Sequence, residues 1–220
     1  MTLTRRTLLV SAGVIGAGAA LGGVTAPSVA AATDTWDAPG SDNGWTIDPD
    51  VIERFRIEGS PATVRLHPDA AAILLHVARR WHYEVGPLTA SRDVVGHRAD
   101  RTVRAAFESN HLSGTAIALH PLQYPLGAGD GMWPHHRTIV RDILADCEGL
   151  VRWGGDLSPV AEGHFQIDAK PGAKDLTRLA KTLDVRAPRH DGPRPGAVED
   201  PMDRARRAKA RRLARTQRGT

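Results

Sequence analysis

The chain has 220 residues and a mass of 23.6 kDa, and 41% of its residues are hydrophobic, which is enough for one packed domain with tails. Its single cysteine, Cys147, excludes an intramolecular disulfide, and we expect it to be a small buried apolar residue. Residues 1–32 carry a charge of +2 and residues 186–220 carry +7, so the net charge of +4 leaves −5 on residues 33–185. We therefore predict an acidic folded part and a basic tail.

The N-terminus has the pattern of an export signal. Arg5 and Arg6 precede an apolar, glycine-rich run that ends in small residues. Adjacent arginines are typical of the twin-arginine route. We predict that residues 1–32 are this signal, removed near Ala31 or Thr33, and that the mature protein is extracellular or associated with the cell wall. A membrane anchor is the alternative, but glycine and alanine make this run a weak hydrocarbon span.

The next residues predict a leader segment and then a domain. Residues 33–64 are rich in Asp, Gly, Pro and Ser and are predicted to drape over a domain at residues 65–185. Apolar residues at helical spacing, with proline in the first turn, predict three helices: residues 68–82, Pro134 to about Gly149, and residues 173–184. Short strands are expected within residues 109–120 and at 150–153 and 164–167.

The C-terminal residues 186–220 hold eleven Lys or Arg against four Asp or Glu. Residues 203–215 are compatible with a helix, but such a charge run buries little apolar surface, so we predict a basic tail that is disordered in isolation. Its functional interpretation is electrostatic attachment to an anionic wall polymer or a membrane surface, and the alternative is a solubilising tail. Nucleic acid is not an expected partner, because aromatic residues are not interleaved with the charges.

Two histidines stand beside short apolar runs. His111 lies in the segment SNHLSGTAIAL at residues 109–119, and His164 lies in GHFQI at residues 163–167. Two strands that each present one imidazole to the same cleft can form a shallow metal site. The pair therefore predicts a candidate metal centre.

Both segments carry a resemblance to a known family. SNHLSGTAIAL resembles the SxHxxGxAxD signature of the D-alanyl-D-alanine carboxypeptidases and L-alanyl-D-glutamate endopeptidases, the VanY-like zinc peptidases of the cell wall. WGGD at residues 153–156, followed by GHFQI, resembles the second motif of that family, and the resemblance covers roughly residues 65–170. It implies an α+β fold, a small antiparallel sheet with helices packed on one side. It also implies a zinc cofactor and hydrolysis of peptidoglycan stem peptides.

The resemblance implies roles for individual residues. It makes His111 and His164 zinc ligands, and it makes Arg98 and Ser109 substrate-binding residues. A guanidinium suits a substrate carboxylate because its planar fork donates two parallel hydrogen bonds. The alternative for Arg98 is a solvated loop arginine, since other arginines lie nearby in the sequence.

Two positions depart from the family pattern. Ala118 stands where the zinc-binding aspartate belongs, and Ala161 stands where the family has its catalytic Asp or Glu. His120 is a possible substitute ligand if a β-bulge turns it inward, and Glu162 is a possible substitute base. Asp156 is a further candidate carboxylate, although its motif position suggests a structural turn.

Three interpretations follow. The first is an active or partly active exported zinc peptidase that cuts peptidoglycan stem peptides. The second is a non-catalytic descendant that binds stem peptides or a wall enzyme without cutting. The third is an exported structural protein in which the basic tail carries the function. Zinc content, muropeptide binding and the effect of deleting residues 186–220 distinguish them.

Overall fold

A computed structural model describes residues 33–184 and 200–219, which belong to one compact unit. The expected export signal at residues 1–32 lies outside the described residues, as do residues 185–199. Within the described ranges, no helix has the length and apolar character that a membrane crossing requires.

The centre of the fold is a four-stranded antiparallel sheet in the order β4-β6-β8-β7. Its strands are β4 (Val94–Val95), β6 (Ala116–Leu119), β7 (Val151–Trp153) and β8 (His164–Ile167). Every residue of β8 is buried, as expected for a strand covered on both faces. The mixed arrangement of helices and small antiparallel sheets agrees with the predicted α+β class.

The two faces of this sheet have different contents. Ile117, Phe165 and Trp153 are register partners on adjacent strands and share the face that packs on helices α1 (Pro68–Glu84) and α2 (Pro134–Asp146). The opposite face carries Ala118, His164 and Gln166, because successive side chains of a strand alternate between faces. The candidate site therefore lies on the face away from the helical core.

Helix α1 begins as predicted and extends two residues further. Pro68 occupies its first turn, and the His67 side chain caps the helix by accepting from the backbone N–H of Asp69 at 3.2 Å. Trp81 is fully buried near the other end and packs edge-on against Phe165, with ring centroids 5.7 Å apart. This contact joins the helix to the central sheet.

Residues 33–64 are an integral part of the fold rather than a segment draped over it. They contain β1 (Asp34–Thr35), which pairs with β5 (Thr102–Val103), and β2 (Glu53–Arg56), which forms a hairpin with β3 (Thr63–Leu66). Asn43 donates through its side chain to the Thr115 hydroxyl at 2.8 Å and to the Ile167 carbonyl at 2.9 Å. This segment thus fixes the loop that leads into β6.

The last two helices are α3 (Lys174–Leu183) and α4 (Arg204–Arg218). The prediction of disorder is wrong for residues 204–218, which form a regular helix packed on α2. Arg206 reaches Asp142 with two hydrogen bonds of 2.7 Å, and Asp142 also accepts from Arg80 of α1 at 2.9 Å. Because Asp142 is only 1% exposed, these contacts offset the cost of burying its charge.

We expect Arg206→Gln to lower the free energy of unfolding by about 1–3 kcal/mol, because Asp142 would keep only Arg80 as a charged partner. Urea denaturation of the full chain measures this change. Arg207→Gln is the matched control, since Arg207 is exposed on the same helix and should change stability by less than about 0.5 kcal/mol. Equal losses in the two variants would show that Arg206 does not anchor α4.

Candidate functional site

The structure brings His111 and His164 together. His111 ends a short 3-10 segment at Ala106–His111, and His164 opens β8. Nε2 of His111 lies 3.2 Å from Nδ1 of His164, and the ring centroids are 5.1 Å apart at an interplanar angle of 68°. Each side chain is 4% exposed, so the pair is almost fully shielded from water.

The outer nitrogens of the two rings restrict where their protons lie. Nδ1 of His111 is 2.8 Å from the Gly96 carbonyl, which can only accept, so this nitrogen carries the proton and Nε2 presents a lone pair. Nε2 of His164 lies 3.0 Å from the side-chain oxygen of Gln166. If that oxygen accepts a hydrogen bond from Nε2, then Nδ1 of His164 is unprotonated and also turns a lone pair toward His111. If the Gln166 amide is rotated, Nδ1 of His164 donates to His111 instead.

Burial and positive charge keep the pair neutral. Burial is the main cause that lowers the pKa of His111 well below its usual range, and the charges of His164 and Arg98 act in the same direction. Burial also lowers the pKa of His164 to about 4, against the opposing effects of Gln166 and Glu108. Neutral imidazoles are the form that binds metals.

Arg98 lies beside the histidine pair. Its backbone N–H donates to the His111 carbonyl at 3.2 Å, and its charge contributes to the lowered pKa of both histidines. Nε and Nη2 of its guanidinium are buried and have no hydrogen-bond partner among the described residues. Buried donors without an acceptor are costly, so an anionic ligand bound here would be stabilised by accepting hydrogen bonds from these two nitrogens.

Glu108 is a neighbour that sequence reasoning missed. It lies three residues before His111 on the same 3-10 segment, and its charge acts on the His164 pKa. Its Oε2 accepts from the backbone N–H of Arg104 at 2.7 Å, which holds the carboxylate at the start of the segment. A helical spacing of three before the motif histidine is the signal that could have identified it.

The structure defines the positions of Ala118 and Ala161 relative to His164. Ala118 pairs directly with His164 across the antiparallel strands, so a carboxylate there would stand beside the imidazole. Ala161 is 6% exposed, and its carbonyl accepts from the backbone N–H of His164 at 2.9 Å. Both alanines therefore border the pair, and neither can bind a metal or transfer a proton.

The proposed substitutes do not reach the site. His120 leaves the strand with φ of 46°, and its ring nitrogens contact Nε1 of Trp81 at 3.0 Å and the Pro87 carbonyl at 3.3 Å. The expectation that a bulge turns His120 inward is therefore wrong. His120 instead joins the Trp81 indole of α1 to the loop that follows this helix.

Glu162 is equally engaged elsewhere. It is 2% exposed, its Oε1 lies 2.8 Å from Arg137 and its Oε2 accepts from the Met132 backbone N–H at 2.9 Å. Its role is to bind the segment before α2, so the structure does not support it as a general base.

Ser109 and Asp156 have structural partners. The Ser109 hydroxyl is fully buried, donates to the Ala106 carbonyl at 2.6 Å and accepts from the Asp42 backbone N–H at 2.9 Å, so it is not available to a substrate. Asp156 pairs with Arg141 and Arg218 and ties its turn to α2 and α4, in agreement with the structural interpretation of the motif.

The residues present do not complete a catalytic zinc site. Tetrahedral zinc with ordinary Zn–N bonds places two ligand nitrogens about 3.3 Å apart, which the His111–His164 separation approaches. Catalytic zinc has three protein ligands, however, and no cluster of three or more His, Cys, Asp or Glu suited to a metal exists among the described residues. No family model, curated protein or solved structure matches the chain.

We expect acid to destabilise the protein through this pair. Because the folded pKa of His164 is about 4 and the unfolded value is 6.5, the unfolded chain binds more protons between these pH values, and stability falls as pH drops through the window. The loss should reach about 3 kcal/mol at its lower end. Denaturant unfolding of His164→Gln should show a flatter pH dependence from 6.5 to 4. The exposed control His135→Gln should retain the natural slope, and an unchanged slope in His164→Gln would contradict the assignment.

Proposed function

We propose that this protein is an exported, cell-wall-associated protein with VanY-like zinc-peptidase architecture, which binds peptidoglycan stem peptides and lacks the groups needed to hydrolyse them at enzymatic rates. The observation that carries the proposal is the placement of Ala118 directly across from His164. This position borders the histidine pair, and an acid there would complete a three-ligand set.

The framework around the site supports the kinship. His111 and His164 come from separate motifs 53 residues apart and meet on one face of the sheet. The glycine of the second motif also has a structural reason, since a Cβ atom on Gly163 would lie 2.3 Å from the Leu119 carbonyl oxygen. The motif residues thus support a site geometry as well as a sequence pattern.

The missing acids argue for binding rather than hydrolysis. Peptide hydrolysis by a zinc enzyme needs a metal-activated water and a carboxylate that takes and returns its proton. Ala118 and Ala161 supply neither function, and His120 and Glu162 are held by other partners. The groups that remain can bind and orient a ligand.

Arg98 is the group that we assign to ligand binding. Its two unpartnered guanidinium nitrogens match the two oxygens of a carboxylate, and stem peptides end in a carboxylate. The neighbouring histidines are neutral, so they do not repel the guanidinium as imidazolium ions would. The resemblance adds the substrate class to this chemistry.

A second candidate function is zinc-dependent hydrolysis with the protein as it stands. The 3.2 Å separation of the two imidazole nitrogens favours it, because this distance approaches the spacing of two nitrogen ligands on one zinc ion. One tightly bound zinc per chain, lost in His111→Ala, together with muropeptide cleavage by the natural protein, would establish this candidate and overturn the binding proposal.

Restoring the acid at position 118 should create a zinc site. We expect Ala118→Asp to raise zinc affinity by about two orders of magnitude, because a third ligand is added beside His164. Competition titration with a chromogenic chelator measures the affinity. Ala116→Asp is the matched control, since it buries the same group on the same strand face opposite Gln166.

The double variant Ala118→Asp with Ala161→Asp extends this test to catalysis. Muropeptide cleavage that appears only in the double variant would show that the ancestral catalytic framework survives. Equal zinc affinity in Ala118→Asp and Ala116→Asp would contradict the placement of the third ligand.

Arg98→Gln should weaken binding of a D-Ala-D-Ala-terminated stem peptide by about 10- to 100-fold, because a charge-assisted hydrogen-bond pair is lost. Isothermal titration calorimetry with the full chain measures this change. Amidation of the peptide carboxylate should have the same effect and should not add to the variant's loss. Arg104→Gln, a nearby and more exposed arginine, should bind normally. Additive losses would show that Arg98 does not bind the carboxylate.

A further inference from the structure

Helices α2 and α4 enclose an open groove with a volume of about 410 Å³. Five arginines line it: Arg141, Arg207, Arg211, Arg215 and Arg218. The remaining described lining residues are Thr138, Asp142, Pro201, Ala210 and Ala214, so Asp142 is the one acid among the described residues of the lining.

The described residues around this groove balance its charge only in part, because Asp156 pairs with Arg141 and Arg218 and leaves the other three arginines uncompensated. Asp142 is 1% exposed and is paired with Arg80 and Arg206, which do not line the groove. Its charge is therefore neutralised by these two residues rather than by the groove arginines. Arg207, Arg211 and Arg215 are exposed and form no ion pair with the described residues. The groove is therefore a concentrated positive surface.

The arginines follow one stripe of α4. Arg207, Arg211 and Arg215 recur every four residues, so each lies about 6 Å further along the helix axis than the last. The stripe from Arg207 to Arg215 is about 12 Å long, and Arg218, which pairs with Asp156, lies almost one further turn along the helix. A single small anion would contact only part of this length, whereas a chain of regularly spaced anions would contact all of it.

We propose that the groove binds a linear polymer of phosphate charges, in which successive phosphates contact successive arginines of α4. Guanidinium groups donate in a planar fork that matches phosphate oxygens. The groove is concave and walled by two helices, which suits a thread-like ligand. This inference is independent of the proposed peptide-binding function, because it uses none of the residues around the histidine pair.

The lining residues favour this ligand over a bilayer or a nucleic acid. Surface-bound helices insert large apolar side chains among the lipids, and the apolar residues of the groove are only alanine and proline. Single-stranded nucleic acid binding uses aromatic rings on which bases stack, and no described residue lining the groove is aromatic. A polyanion without bases fits the charge and the shape.

Titration of the full chain with long-chain inorganic polyphosphate tests the proposal. Arg211→Gln with Arg215→Gln should weaken binding at least about tenfold and reduce its salt dependence. The matched control is Lys209→Gln with Arg212→Gln, which removes the same charge from the opposite flank of α4 and should bind within about twofold of the natural protein. All four side chains are exposed, and circular dichroism verifies that each variant keeps its helices.

Several results would overturn the proposal. Equal losses in the two double variants would mean a diffuse charge effect rather than a groove. Competition by monophosphate at the same total phosphate concentration would mean a single anion site. Tighter binding to phosphatidylglycerol vesicles or to single-stranded DNA than to polyphosphate, at equal phosphate, would identify a different class of partner.

Discussion

The antiparallel pairing of β6 with β8 is the contact on which the candidate site depends. It sets Ala118 opposite His164 and places both on the face away from the helical core. Because side chains alternate along a strand, a slip of one residue would turn His164 toward the helices and Phe165 toward the site. Glycine at position 163 helps to fix this register, since any side chain there would collide with the Leu119 carbonyl.

The histidine pair and Arg98 together form a polar site with unmet bonding capacity. Arg98 has buried donors without an acceptor among the described residues, and Nε2 of His111 lies 3.2 Å from Nδ1 of His164. Unsatisfied buried groups cost stability and mark places where a ligand can form bonds that the protein does not. The neutral state of both imidazoles follows from burial and from the adjacent positive charge, so the same surroundings that favour an anion disfavour protonation.

Helix α4 uses its two flanks in different ways. Arg206 faces α2, where it pairs with Asp142 and Asp146. The same two carboxylates also pair with Arg80 of α1. Although burial opposes ionisation of Asp146, a hydrogen bond from His76 and these arginines hold its pKa well below the usual range. The docking of a highly basic helix on the acidic part of the domain explains how an arginine-rich segment becomes ordered while its outer arginines remain available.

Sequence alone determined the local features of this protein. The helix starts at Pro68 and Pro134, the strand at residues 164–167 and the burial of Cys147 follow from periodicity, proline geometry and composition, which act over a few residues. The motif pair also predicted that His111 and His164 meet. These inferences succeeded because each depends on neighbours in the chain or, for the two histidines, on the short apolar runs beside them.

Tertiary structure decided which polar side chains serve the site. His120 and Glu162 look suitable by sequence position, but Trp81 and Arg137, distant in the chain, hold them elsewhere. The order of α4 likewise depends on acids contributed by α2, which composition of the tail cannot reveal. Partner choice by a charged or polar group is a long-range property, because it is set by whichever complementary group the fold brings within hydrogen-bonding distance.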